Sequence, residues 1–166
     1  MRAYDAPGMS TYELDEYGGR LLQALEARSA PRLAYHFPGW TCLSPNQEAA
    51  HSIPARQRLL HEGDLLHIDV SAELGGYWAH NGGSFVVGPD MHHRQPLVDA
   101  SRQILRTALQ HIKEGVRIAE IGGLIEREAK KTDFNVIKNL VGHGIGRNLH
   151  EEPTEIPCYH DRFNTQ

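Results

Sequence analysis

The stretch from Asp64 to Gly88, DLLHIDVSAELGGYWAHNGGSFVVG, limits what this chain can fold into more than any other. Leu66, Ile68 and Val70 alternate with His67, Asp69 and Ser71, the period-2 pattern of a strand. Gly75-Gly76 supplies a two-residue turn, and Ser84-Phe85-Val86-Val87 continues a returning strand that Gly88-Pro89 stops. The pattern predicts a β-hairpin. With the two glycines as the turn, Ser71 faces His80, and Asp69 lies two residues along on the same face. A register one residue shorter sets Asp69 opposite or beside His80. Either way the two side chains stand at direct or diagonal cross-strand spacing, about 5–8 Å, a span that a bridging metal ion closes.

A carboxylate within an apolar strand costs several kcal/mol unless it is paired or ligated. Asp69 is therefore either an outward residue on a half-solvated sheet or part of a site. His80 alone reads as an ordinary surface or core histidine, but on the same face as Asp69 it reads as a second ligand. His143 stands in GHGIG, bracketed by glycines that let backbone approach a ligand closely. The letters are not those of a dinucleotide-binding loop, and no βαβ unit precedes them. His51 and His150 each sit in a Pro-terminated turn. G-x-S-x-G, H-E-x-x-H and C-x-x-C are all missing, which removes the common serine-hydrolase, zincin and redox readings.

Around the hairpin the chain predicts helices. Ser10-Thr11-Tyr12-Glu13 has the form of a capping box and opens a helix over 11–28, with Tyr17, Leu21, Leu22 and Leu25 as its apolar stripe. Residues 35–54 read as irregular or short-strand structure, rich in Pro and aromatics, and suited to a pocket wall. A second helix is expected over 96–113, a third over 119–131, and a strand over 134–141. The Gly- and His-rich segment 142–153 reads as a loop.

At 166 residues, 40% hydrophobic and 23% charged, the chain is expected to be one globular domain. A net charge of −4 gives no basic footprint for nucleic acid or an anionic membrane. Two cysteines make no disulfide framework, and neither a membrane span nor a signal sequence is visible. The expected location is the cytoplasm.

Three segments in collinear order, YHFPGWTCLSPNQEAAHSIP, LLHEGDLLHIDVSAELGGYWAHNGGSFVVG and NLVGHGIGRNLHEEPTEIP, resemble bacterial type I methionine aminopeptidases. The resemblance covers nearly the whole chain. It implies an α/β pita-bread fold and removal of the initiator methionine from nascent polypeptides and N-terminal Met peptides. It also implies a two-metal site of divalent cobalt, manganese, iron or zinc. Asp69 and His143 match metal-binding residues of the family. His51 and His150 match its two substrate-contacting, catalytic histidines. Phe37, Cys42 and Leu149 fall where the family lines its methionine pocket, and their soft, apolar character suits a thioether.

Two features depart from the pattern. His80 stands where the family carries its second metal-binding aspartate, so it is expected as a substitute ligand with one nitrogen and no carboxylate charge. Nothing after Pro157 supplies the two glutamates that the family carries on its last strands. The expectation is a single domain over 1–166 with an incomplete second half, lacking the C-terminal strands, and with impaired hydrolysis. The alternatives are a non-catalytic relative that binds peptide or protein N-termini, and an inactive gene fragment.

Overall fold

Ser10 opens the first helix as its neighbours predict. Its Oγ accepts from the Glu13 N–H at 3.2 Å, and Glu13 Oε2 accepts from the Ser10 N–H at 2.8 Å, so two donors that the first turn leaves over are satisfied reciprocally. The computed structural model describes residues 1–162. Helix α1 spans Thr11–Ala24, four residues shorter than expected. Its buried face is Leu14, Asp15, Gly18, Gly19 and Leu22, whereas Leu21 and Leu25 are 39% and 70% exposed. The expected stripe is thus rotated, and the glycines are the reason. A Cβ on Gly19 would lie 2.6 Å from the Trp40 ring, and one on Gly18 would lie 2.8 Å from Met1 Sδ. They mark the packed side.

The short strand β1, Arg28–Ser29, and helix α2, Ala30–Tyr35, follow. Pro31 stands in the first turn of α2, where its missing N–H costs nothing. Strand β2 is Cys42–Pro45. The hairpin is β3, Leu65–Leu74, and β4, Tyr77–Val86. Gly75 and Gly76 form its turn at φ 60° and 83°, values only glycine adopts without strain. Strand β4 pairs with the whole of β3, while β1 and β2 pair with its other edge, all antiparallel. The alternation read from the sequence holds. Leu66 and Ile68 join Leu14, Leu43, Leu60, Phe85 and Val87 in one buried cluster, with Val70 packed against it. Each such side chain contributes about 1.5–3 kcal/mol on burial. His67, Asp69 and Ser71 take the opposite face.

Helices α3, Gln95–His111, and α4, Ile118–Ala129, lie close to their expected positions. The strand expected over 134–141 does not form. Residues 134–140 are irregular, and Phe134, Val136 and Leu140 instead line an apolar groove of about 360 Å³ with Leu97, Leu105 and Ile125. The segment expected to be a loop carries two strands, β5, Val141–Gly144, and β6, Glu151–Pro157, paired antiparallel with a register shift between Gly142 and Gly144.

The chain forms two compact units. The first comprises Met1–Gln95 and Ile145–Leu149, the second Pro96–Gly144 and the residues from His150 onward. No described helix is long and apolar enough to cross a membrane.

Candidate active site

In the first unit the expected metal-site residues Asp69 and His80 both lie on the polar face of the hairpin. The register sets Ser71 opposite His80 and Gly82 opposite Asp69, the longer of the two registers read from the sequence. His80 therefore meets Asp69 diagonally, with its Nε2 2.7 Å from Asp69 Oδ1, while the space over Gly82 is taken by the His67 ring. That oxygen is buried, and the His80 contact is the ion pair that meets it. Its effect on His80 is to raise the imidazole pKa: the close contact with Asp69 acts first and its charge adds, against desolvation.

His67, two residues before Asp69, flanks the carboxylate from the other side. Its Nδ1 lies 3.0 Å from Ser84 Oγ. Burial lowers its pKa, and the Asp69 charge opposes that only in part, so the ring is neutral at pH 7. Sequence reasoning passed over His67 as a site residue, although the alternation that found Asp69 places it on the same face. Cys42 on β2 is the cross-strand partner of Asp69. Burial, with the charges of Asp69 and Asp15, pushes its thiol up to about 12. The thiol is therefore protonated at neutral pH and not a nucleophile. Glu73, further along the same face, is fully engaged. Its Oε2 accepts from Arg28 Nε at 2.5 Å and its Oε1 from the Gly76 N–H at 2.7 Å.

Of the other expected residues in this unit, Phe37 is half-buried and Leu149 is buried. His51 is exposed, with left-handed backbone at φ 58°. The Leu43 N–H donates to Ser52 O at 3.4 Å, which brings the His51 turn alongside β2. Leu149 belongs to a strap, Ile145–Leu149, tied to the hairpin tip. The Trp78 N–H donates to Gly146 O at 2.7 Å, and Arg147 lies 3.7 Å over the Tyr77 ring while donating to its hydroxyl at 2.5 Å.

In the second unit His143 and His150 come together, with ring centroids 3.9 Å apart. His143 Nδ1 lies 2.8 Å from Gly144 O. A carbonyl only accepts, so Nδ1 carries a proton. Gly144 beside His143 serves the sheet: a Cβ there would lie 2.3 Å from Glu152 O, so this glycine admits the neighbouring strand.

A divalent transition metal bound by nitrogen and oxygen needs donors about 2.0–2.2 Å away, four of them in a closed site. The orphaned Oδ1 of Asp69 has the character of such a donor. Yet among the described residues no three His, Cys, Asp or Glu side chains converge on one point, and His80 already stands against that oxygen. The described residues do not fit a metal centre.

Residues 1–165 match metallopeptidase family M24. The chain is 44% identical over 164 residues to methionine aminopeptidase 2 of Bacillus subtilis, covering 99% of this chain and 66% of that protein. It is 43% identical to a methionine aminopeptidase of Staphylococcus epidermidis, covering 97% and 64%. The crystal structure of a methionine aminopeptidase from Thermotoga maritima superposes with a TM-score of 0.89 at 30% identity, over 94% of this chain and 62% of that one. The chain thus spans just under two thirds of the length of these relatives.

Proposed function

Because the chain belongs to metallopeptidase family M24 and has the α/β pita-bread fold of the methionine aminopeptidases, we propose that it acts as an aminopeptidase on N-terminal methionine. The substrates are the initiator methionine of nascent chains and short peptides that begin with Met. One observation carries this reading: identity to a methionine aminopeptidase runs through 99% of the chain. In the proposal Phe37, Cys42 and Leu149 take the methionine side chain. Cys42 and Leu149 are buried in one unit, and the thiol stays protonated, which suits a soft thioether. His51 and His150 contact the peptide. Both are exposed and so open to a ligand that approaches from solvent.

The site acids and imidazoles, Asp69, His80 and His143, stand where the family resemblance sets metal ligands. The divalent ion proposed is cobalt, manganese, iron or zinc, and its binding calls for donors beyond those described. A net charge of −4 favours neither nucleic acid nor an anionic membrane as partner, and the proposed location is the cytoplasm.

The Asp69–His80 contact favours a second reading, in which the chain binds Met N-termini without turnover. Incubation of the protein with a Met-Ala-Ser peptide and added Mn²⁺ or Co²⁺ distinguishes the two. Slow release of free methionine, with none from Lys-Ala-Ser, is the expected result, and its slowness reflects the small fraction of molecules in which an ion displaces His80 from Asp69. Binding of the Met peptide with no release selects the second reading, and the lack of both overturns the proposal. His80→Asp is expected to raise release about tenfold or more, since a carboxylate at position 80 would add an oxygen donor for a divalent ion, which would supply Lewis-acid chemistry when bound.

A further inference from the structure

We infer that His80 occupies the cation position at Asp69, so that this hairpin holds its site carboxylate with an internal imidazole and takes up no stoichiometric divalent metal there. The inference rests on the reading above only in taking Asp69 as the site carboxylate.

Three features of the hairpin lead to it. The first is distance. His80 Nε2 is 2.7 Å from Asp69 Oδ1, and a metal at about 2.0–2.2 Å from that oxygen would share its space with the ring. Binding requires the imidazole to swing away. The second is what holds the imidazole there. Oδ1 is buried, and a buried carboxylate left without a counter-group is strongly destabilised. His80 is the group that meets it, reaching across from its register position opposite Ser71.

The third is the supply of donors. Glu73, the other acid on this face, has both oxygens committed to Arg28 and the Gly76 N–H. His67 is held through Nδ1 by Ser84, and its Nε2 lies where a Cβ on Gly82 would be only 3.0 Å away. Asp69 is thus the carboxylate on the polar face of β3 that meets an imidazole, with His67 on its other side, and no group of three donors forms there among the described residues. Hard ions such as Mn²⁺ select oxygen-rich sites, which this face does not offer while residue 80 is a histidine.

Equilibrium dialysis of the full 166-residue chain against Mn²⁺ and Zn²⁺, with bound metal read by mass spectrometry, tests this without any peptide. Failure here leaves the methionine reading standing, and failure to cleave or bind Met peptides leaves this one standing. Eleven histidines give background binding, so the quantity read is the difference between each protein and its Asp69→Asn counterpart. The expected difference is zero for the wild type. His80→Asp is expected to gain about one equivalent of Mn²⁺ that His80→Asp/Asp69→Asn does not hold. A wild-type equivalent that disappears in Asp69→Asn overturns the inference. A folded His80→Asp that gains no metal overturns it too, because His80 is then not what excludes the ion. Nitrogen-15 imidazole spectra of the wild type need no variant. One equivalent of Zn²⁺ is expected to leave the His80 Nε2 resonance in place, and a shift of several tens of ppm at that nitrogen overturns the inference.

Discussion

Asp69 and His80 meet because two glycines set the hairpin register, and that much was legible in the sequence: period-2 alternation and a Gly-Gly turn place both side chains on one face. Which of two nearby registers forms, and that the outcome is a 2.7 Å ion pair, depended on how the β3–β4 ladder settled along its whole length. No local pattern encodes that choice. Cys42 shows the same limit. Its position suggested a pocket wall, but its inertness comes from burial and from the cross-strand charge of Asp69, which only the sheet pairing reveals. Glu73 carries a prediction at this scale. The hydrogen bond from Arg28, then the Gly76 N–H, hold its carboxyl below the ordinary 4.5. A lowered folded-state pKa contributes stability above the unfolded value, and that contribution is lost as pH falls through the folded value. Glu73→Gln is therefore expected to flatten the fall in urea midpoint below about pH 4.5, with its largest stability deficit at neutral pH. Parallel acid profiles of variant and wild type would contradict this.

At the scale of elements, the first helix and the hairpin were readable because their signals are local. A capping box and a turn dipeptide act within a few residues. Ser10→Ala removes the acceptor for the Glu13 N–H and is expected to lower unfolding free energy by about 1 kcal/mol, measured by urea denaturation. The strand pair β5–β6 was not readable. GHGIG looks like a ligand loop, and Phe134–Val141 has the composition of a strand. The outcome turned on tertiary facts: those apolar side chains line a groove beside α3 and α4, and Gly144 lets β6 approach to within 2.3 Å of where a Cβ would stand. Gly144→Ala forces a backbone to move. It is expected to cost about 1–3 kcal/mol and to broaden the amide signals of residues 141–144 and 151–157 in NMR spectra. An alanine variant as stable as the wild type would show that β6 yields without strain.

For the whole molecule, helical periodicity located α3 and α4 but did not say which faces would be covered. Leu105, Leu109 and Ile112 remain 57%, 58% and 53% exposed, and the second unit keeps an apolar groove. A contiguous apolar surface of this kind favours association. Leu105→Lys is expected to lower binding of a hydrophobic dye severalfold and to suppress concentration-dependent growth in scattering mass. Unchanged dye binding would place the exposed surface elsewhere.

The strap Ile145–Leu149 has a consequence for how the molecule is made. The first unit takes in Leu149, a buried residue, and the partners of Trp78 and Tyr77 from a segment some fifty positions beyond Gln95. During synthesis at about 5–20 residues per second, this unit leaves the ribosome unfinished and waits several seconds for its last contacts. A chain arrested at residue 95 carries every strand of the larger sheet yet lacks the piece that ties down the hairpin tip, and in a protease pulse that tip is where cutting begins.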